Sequence, residues 1–212
     1  QVLNPLFGLE FGLLSWRDLH LEAGIDYLGG ADDPLFFNAK IGVQENILFC
    51  NAPAFNIGIF GVGTRHRDKR TDYNIVDIIF GKTLCEHIDA RVFVGAFSGS
   101  RVIGKNQGGI MVGFDYKLGS AKDCKGKEYK KWLIAGDYAS GKNEIGGGGV
   151  AISYYFTPDI YLQGGPVWFN DASINGRWKI GLLLQINTLL LDCKKSCGNG
   201  NRKKENENGN KK

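Results

Sequence analysis

From Leu19 to Tyr27 the chain alternates strictly. Leu19, Leu21, Ala23, Ile25 and Tyr27 are apolar, with His20, Glu22, Gly24 and Asp26 between them. A period of two describes a strand with one dry face and one wet face. The pattern recurs and predicts strands at roughly 6–15, 18–28, 35–44, 54–63, 73–84, 90–98, 108–118, 131–140, 147–156, 160–169 and 178–188. Most run nine to eleven residues, the length a tilted strand needs to cross a bilayer. No stretch approaches the 18 apolar residues of a membrane helix, because the leucine runs 182–184 and 189–191 are separated by Gln185, Asn187 and Thr188. Many short strands with one apolar face each predict an all-β protein. The expected fold is a single antiparallel up-and-down transmembrane β-barrel, apolar faces toward lipid and polar faces toward a wet lumen.

The period assigns each side chain to a face. The lumen is expected to be lined by His20, Glu22, Asp26, Asn38, Lys40, Asp77, Arg91, Asp115, Lys117, Asp137, Lys179 and Gln185. In 73–84 both faces are apolar, and placing Val76, Ile78 and Phe80 outward keeps Asp77 out of lipid, where a charge costs a few kcal/mol. An aromatic girdle follows, with Tyr27, Trp168 and Trp178 at one edge of the outer face and Tyr116, Trp132, Tyr154 and Phe156 at the other.

The connections also alternate. Ser15–Asp18, Cys85–Asp89 and Thr157–Asp159 are tight, as periplasmic turns are, while 29–34, 63–72, 99–107 and 170–175 are longer and polar. Segments 45–53 and 119–130 are expected to be long connections on the turn side. Eleven strands place the start of the first and the end of the last on opposite sides, whereas bacterial barrels have an even strand count. A twelfth strand is therefore expected before Gln1, behind an export signal, so that the sheet closes without an open edge. Cys50, Cys85 and Cys124 fall in successive turn-side connections, so a Cys50–Cys85 or Cys85–Cys124 disulfide is possible in an oxidising compartment. Cys193 and Cys197, four apart, do not make a zinc site without further ligands.

Composition agrees. Gly at 31 residues and aromatics at 12% suit tight turns and an aromatic belt, and a mean hydropathy of −0.18 is ordinary for a barrel with a wet lumen. The net charge of +4 is local: 194–212 carry a net +5 and the remainder −1, so nothing argues for nucleic acid. The chain is expected to divide into a barrel, 1–188, and a disordered basic tail, 189–212.

DPLFFNAKIG (33–42), AFNIGIFGVGT (54–64), TDYNIVDIIFGKTL (71–84), AGDYASGKNEIGGGGVAISYYFTPDI (135–160) and LLLQIN (182–187) together resemble uncharacterised outer-membrane β-barrel proteins of Gram-negative bacteria, over most of residues 5–187. The resemblance implies a barrel of about a dozen strands in that membrane. It carries over no site residue. The departure is at the end, where Thr188 and three leucines lead into the tail instead of a strand ending on an aromatic.

Candidate chemistry is sparse. His66 and Asp68, in the loop TRHRDKRTD, could form a dyad that activates water, but four Arg/Lys against two Asp there read as a basic surface facing anionic head groups. Gly146–Gly149 is not a phosphate loop, because no Lys-Ser/Thr follows. The expected function is a narrow, porin-like channel or a structural barrel with a mixed-charge lumen in which neither sign dominates, not an enzyme, with no cofactor or metal. Lipid, lipopolysaccharide and the outer-membrane assembly machinery are its expected partners. The alternatives are a soluble β-barrel around an apolar ligand and an outer-membrane hydrolase using His66 and Asp68.

Overall fold

The computed structural model describes residues 6–16, 18–29, 34–64, 71–85, 88–124 and 126–188, with the side chains of residues 14–16 and 85 left aside. Eleven strands follow one another as β1 (Leu6–Trp16), β2 (Leu19–Leu28), β3 (Leu35–Val43), β4 (Ala54–Gly63), β5 (Asp72–Cys85), β6 (Ile88–Ser98), β7 (Gly108–Lys122), β8 (Glu128–Ala139), β9 (Gly147–Thr157), β10 (Ile160–Phe169) and β11 (Trp178–Ile186). Each is antiparallel to the one before it, in a single sheet ordered β1 to β11. A four-residue helix, α1 (Ala172–Asn175), and a 3₁₀ turn at Arg101–Ile103 complete the described elements.

The 119–130 connection is not a loop. It extends β7 and β8 into a ribbon in unbroken register, with Ser120 opposite Lys130 and Lys122 opposite Glu128, past Gly119 at φ +67°. Segment 45–53 is a true connection. The Asn46 and Ala52 amides donate to Ala52 and Phe49 carbonyls at 3.0 Å, and the Thr83 amide donates to Glu45 Oε1 at 2.8 Å.

The distribution of side chains is inverted relative to a soluble domain. Among the described residues, the buried apolar side chains are Phe36, Ala52, Ile75, Phe97 and Ile103, while large apolar residues on all eleven strands are exposed. On β9, Val150, Ile152 and Phe156 are exposed and Ser153 between them is fully buried. The largest apolar patch of a typical soluble monomer is roughly 300–600 Å², whereas here exposed large apolar side chains recur on every strand.

The sheet is strongly curled. β1 and β10 are nine strand spacings apart in the order, which would be about 43 Å in a flat sheet at about 4.8 Å each. Yet the Glu10 carboxylate on β1 acts electrostatically on Tyr161 of β10. The curl stops short of closure, since β1 and β11 are not hydrogen-bonded to each other. Both are odd-numbered and run the same way, so direct closure would be parallel. One interposed strand would be antiparallel to both.

Candidate functional site

The inner face falls into three regions. The first is a cavity of about 580 Å³ along β1–β5, walled by Glu10, Glu22, Asp26, Asn38, Lys40 and Asp77 with Phe36, Phe60 and Tyr73. Lys40 Nζ lies 2.9 Å from Glu22 Oε2, and Asn38 Nδ2 donates to Asp26 Oδ2 at 2.6 Å. The Gly61 amide donates to Asn38 Oδ1 at 3.3 Å, which orients that amide toward Asp26. Asp77 Oδ1 is buried without a hydrogen-bond partner and packs over Gly58, where a Cβ would come within 2.7 Å of it. Four carboxylates against one ammonium make this wall acidic.

The second region is paired. Arg91 on β6 grips Asp115 on β7 through two nitrogens, with Nε 3.0 Å from Oδ2, and its guanidinium lies 5.2 Å from the Phe93 ring centre. Tyr161 donates to Gln185 Oε1 at 2.6 Å, and its ring lies 4.8 Å from that of Tyr155. A bidentate pair with one partner buried is a fixed element, since neither group can leave without stranding the other.

The third region is a cap at the loop end. Ile75, Phe97 and Ile103 form an apolar cluster, with Phe60, Tyr73, Met111, Ala139 and Ile145 against it. Ile103 arrives from the 3₁₀ turn, fixed where Ser100 Oγ donates to the Asp72 carbonyl at 2.7 Å and the Ser100 amide to the Tyr73 carbonyl at 2.8 Å. The 140–146 loop locks onto it, with the Glu144 amide donating to the Ile103 carbonyl at 2.7 Å and Asn143 Nδ2 to the Asn106 carbonyl at 3.0 Å. Asn175 of α1 donates to the Glu144 carbonyl and carboxylate at 3.0 and 3.2 Å, joining a third connection to the cap. Burial pushes the Glu144 carboxyl above the usual carboxylate range, opposed by the Asn175 hydrogen bond and the Lys179 charge.

The expected lumen residues fall into separate groups. Glu22, Asp26, Asn38, Lys40 and Asp77 share the first cavity. Arg91 and Asp115 bind each other, and Gln185 holds Tyr161. Asp137 lines a second cavity of about 310 Å³ beside Glu144. Lys179 lies over the Phe169 ring at 5.6 Å, Lys117 acts on Asp89, and His20 faces Gln44 at 3.4 Å. Of the expected girdle aromatics, Tyr27, Tyr116, Trp132, Phe156, Trp168 and Trp178 are exposed, with Trp168 opposite Trp178 and Trp132 opposite Tyr154.

Cys50 and Cys124 are exposed free thiols, so neither expected bridge through Cys85 is formed. Side chains at adjacent turns bridge only when their Cα atoms come within about 7 Å, which spacing along the chain cannot guarantee. The His66–Asp68 pair, Cys193, Cys197 and the expected tail of 189–212 lie outside the described residues.

Sequence reasoning missed Glu10, Glu144 and the cap. Glu10 was legible, standing between Leu9 and Phe11 in an alternating strand. Ile103 carries no signal, since it and Val102 are the two apolar residues of a short Gly- and Ser-flanked connection and nothing sets one apart from the other. No family model, curated protein or solved structure matches the chain.

Proposed function

We propose that the chain is an outer-membrane β-barrel, completed by one strand between β1 and β11, that offers small cations a narrow water path along its β1–β5 wall. The observation that carries this reading is the inverted side-chain distribution: aliphatic and aromatic residues exposed along the outer face of every strand, carboxylates and amides inside. In hydrocarbon every backbone group must be paired within the protein, and a curled antiparallel sheet does this once its two edges are joined. A soluble barrel around an apolar ligand needs the reverse arrangement. The acidic wall supports cation preference over the charge-balanced lumen expected from the sequence, because Arg91 is tied to Asp115 and Lys40 to Glu22, while Glu10 adds a carboxylate. The reading makes the protein a conduit rather than an enzyme, with lipid, lipopolysaccharide and the assembly machinery as partners.

The test compares the two faces. Ile152→Arg, on the outer face in mid-β9, should destabilise the folded state in lipid vesicles by about 2–4 kcal/mol. Asn56→Arg, which points into the acidic cavity, should cost much less. Equal losses, read as the shift of the denaturant midpoint, would remove the lipid-facing assignment.

A further inference from the structure

At the turn-side edge of the outer face, three rings form a continuous row. Trp132 meets Tyr154 edge-on at 4.7 Å between ring centres, and Tyr154 meets Phe156 at 5.1 Å. The Lys131 ammonium stands 5.2 Å from the Tyr154 ring centre, drawn by the negative face of the ring and by the phenol oxygen. Neighbouring lysines are differently engaged: Lys130 binds Asp89, and Lys122 lies 3.7 Å from Glu128. Among the described residues, the electrostatic partners of Lys131 are the neutral tyrosine oxygens of Tyr154 and Tyr129. The site is built rather than incidental. Gly119, at φ +67°, lies beside Trp132 and Lys131, and the Tyr129 hydroxyl donates to the Phe156 carbonyl at 3.1 Å, pinning the ribbon to β9. Residues 117–131 carry six lysines against Asp123 and Glu128, so the whole ribbon favours anions.

We propose that Lys131, Trp132, Tyr154 and Phe156 form a binding site for the phosphate of an anionic phospholipid in the turn-side leaflet. This rests on the membrane reading above. The outward rings accept acyl chains, as aromatic residues do at a membrane interface, and the cation at their edge meets the head group. A soluble anionic protein would use the charge but not the lipid-facing rings, which is why the observations favour a lipid.

Vesicles of phosphatidylcholine containing a minor fraction of either brominated phosphatidylglycerol or brominated phosphatidylcholine test this with the intact chain. The readout is the tryptophan quenching that disappears in Trp132→Phe. At equal fractions, brominated phosphatidylglycerol should quench Trp132 about fivefold more effectively, the factor expected of one lysine at a charged surface. Lys131→Gln should abolish the preference without changing strand content by circular dichroism, and Lys127→Gln, at the ribbon tip, should leave it in place. Equal quenching by the two lipids would overturn the site alone, as would equal loss in both lysine variants, which would reduce the effect to general charge. Failure to insert into either vesicle would overturn the membrane reading beneath it.

Discussion

The two halves of the inner face use the same residue types to opposite ends. Along β6–β11, charge meets charge: Arg91 holds Asp115 with two nitrogens, and tyrosine and glutamine satisfy one another, while the apolar cluster of Ile75, Phe97 and Ile103 fills the loop end where the halves meet. Along β1–β5, Glu10, Glu22, Asp26 and Asp77 share one lysine across an open cavity. The contrast teaches that a wet interior is not uniformly wet. Where ions are paired and packed they act as struts, and where carboxylates outnumber their partners, water and mobile cations must supply the balance.

Stability should show the widest gap between the halves. Arg91→Ala strands the buried Asp115 carboxylate and should cost about 3 kcal/mol, the low end of the range for breaking a buried pair, because the arginine itself is half exposed. Lys40→Ala leaves Glu22 in contact with the cavity and should cost less than about 1 kcal/mol, as exposed pairs do. Denaturant titration in lipid measures both, and matching losses would erase the distinction between strut and open wall.

Ion selectivity should sharpen the same comparison. In a planar bilayer, Glu10→Gln combined with Asp77→Asn should lower cation preference by a factor on the order of five, about 1 kcal/mol of Coulomb energy. Asp137→Asn, on the other wall, should barely move the reversal potential. If Asp137 governs selectivity instead, the conducting wall has been misassigned.

The smallest effect concerns the cap. Burial raises the Glu144 carboxyl, so the folded cap favours the protonated form. Its contribution to stability is full at acid pH, below the ordinary glutamate range, and is lost as pH rises through the folded value. Limited proteolysis within 140–146 should therefore quicken from mildly acidic to neutral pH, after correction for the protease's own profile. Glu144→Gln should flatten that dependence, and an unchanged dependence would assign the titration to another group.

Much of this was legible in one dimension. A strict period of two places Asp115, Gln185 and their neighbours on one face, because successive side chains of a strand must point to opposite sides, while in 73–84 the cost of a charge in lipid places Asp77. The eleven strands and their antiparallel order follow from the same period and from connections too short to cross the sheet. The partnerships were not legible. That Arg91 belongs to Asp115, and that Glu10 reaches Tyr161, depends on register and on how tightly the sheet curls, which join residues far apart in the chain.

The sequence by itself determined the class of fold and which face each strand residue takes, since both are local consequences of backbone geometry. Only the tertiary structure decided that 119–130 is a ribbon, that Ile103 drops from a polar connection into an apolar cap, and that the acidic groups gather on one wall. Those outcomes depend on twist and on contacts between separate connections, and no periodicity within a single strand encodes them.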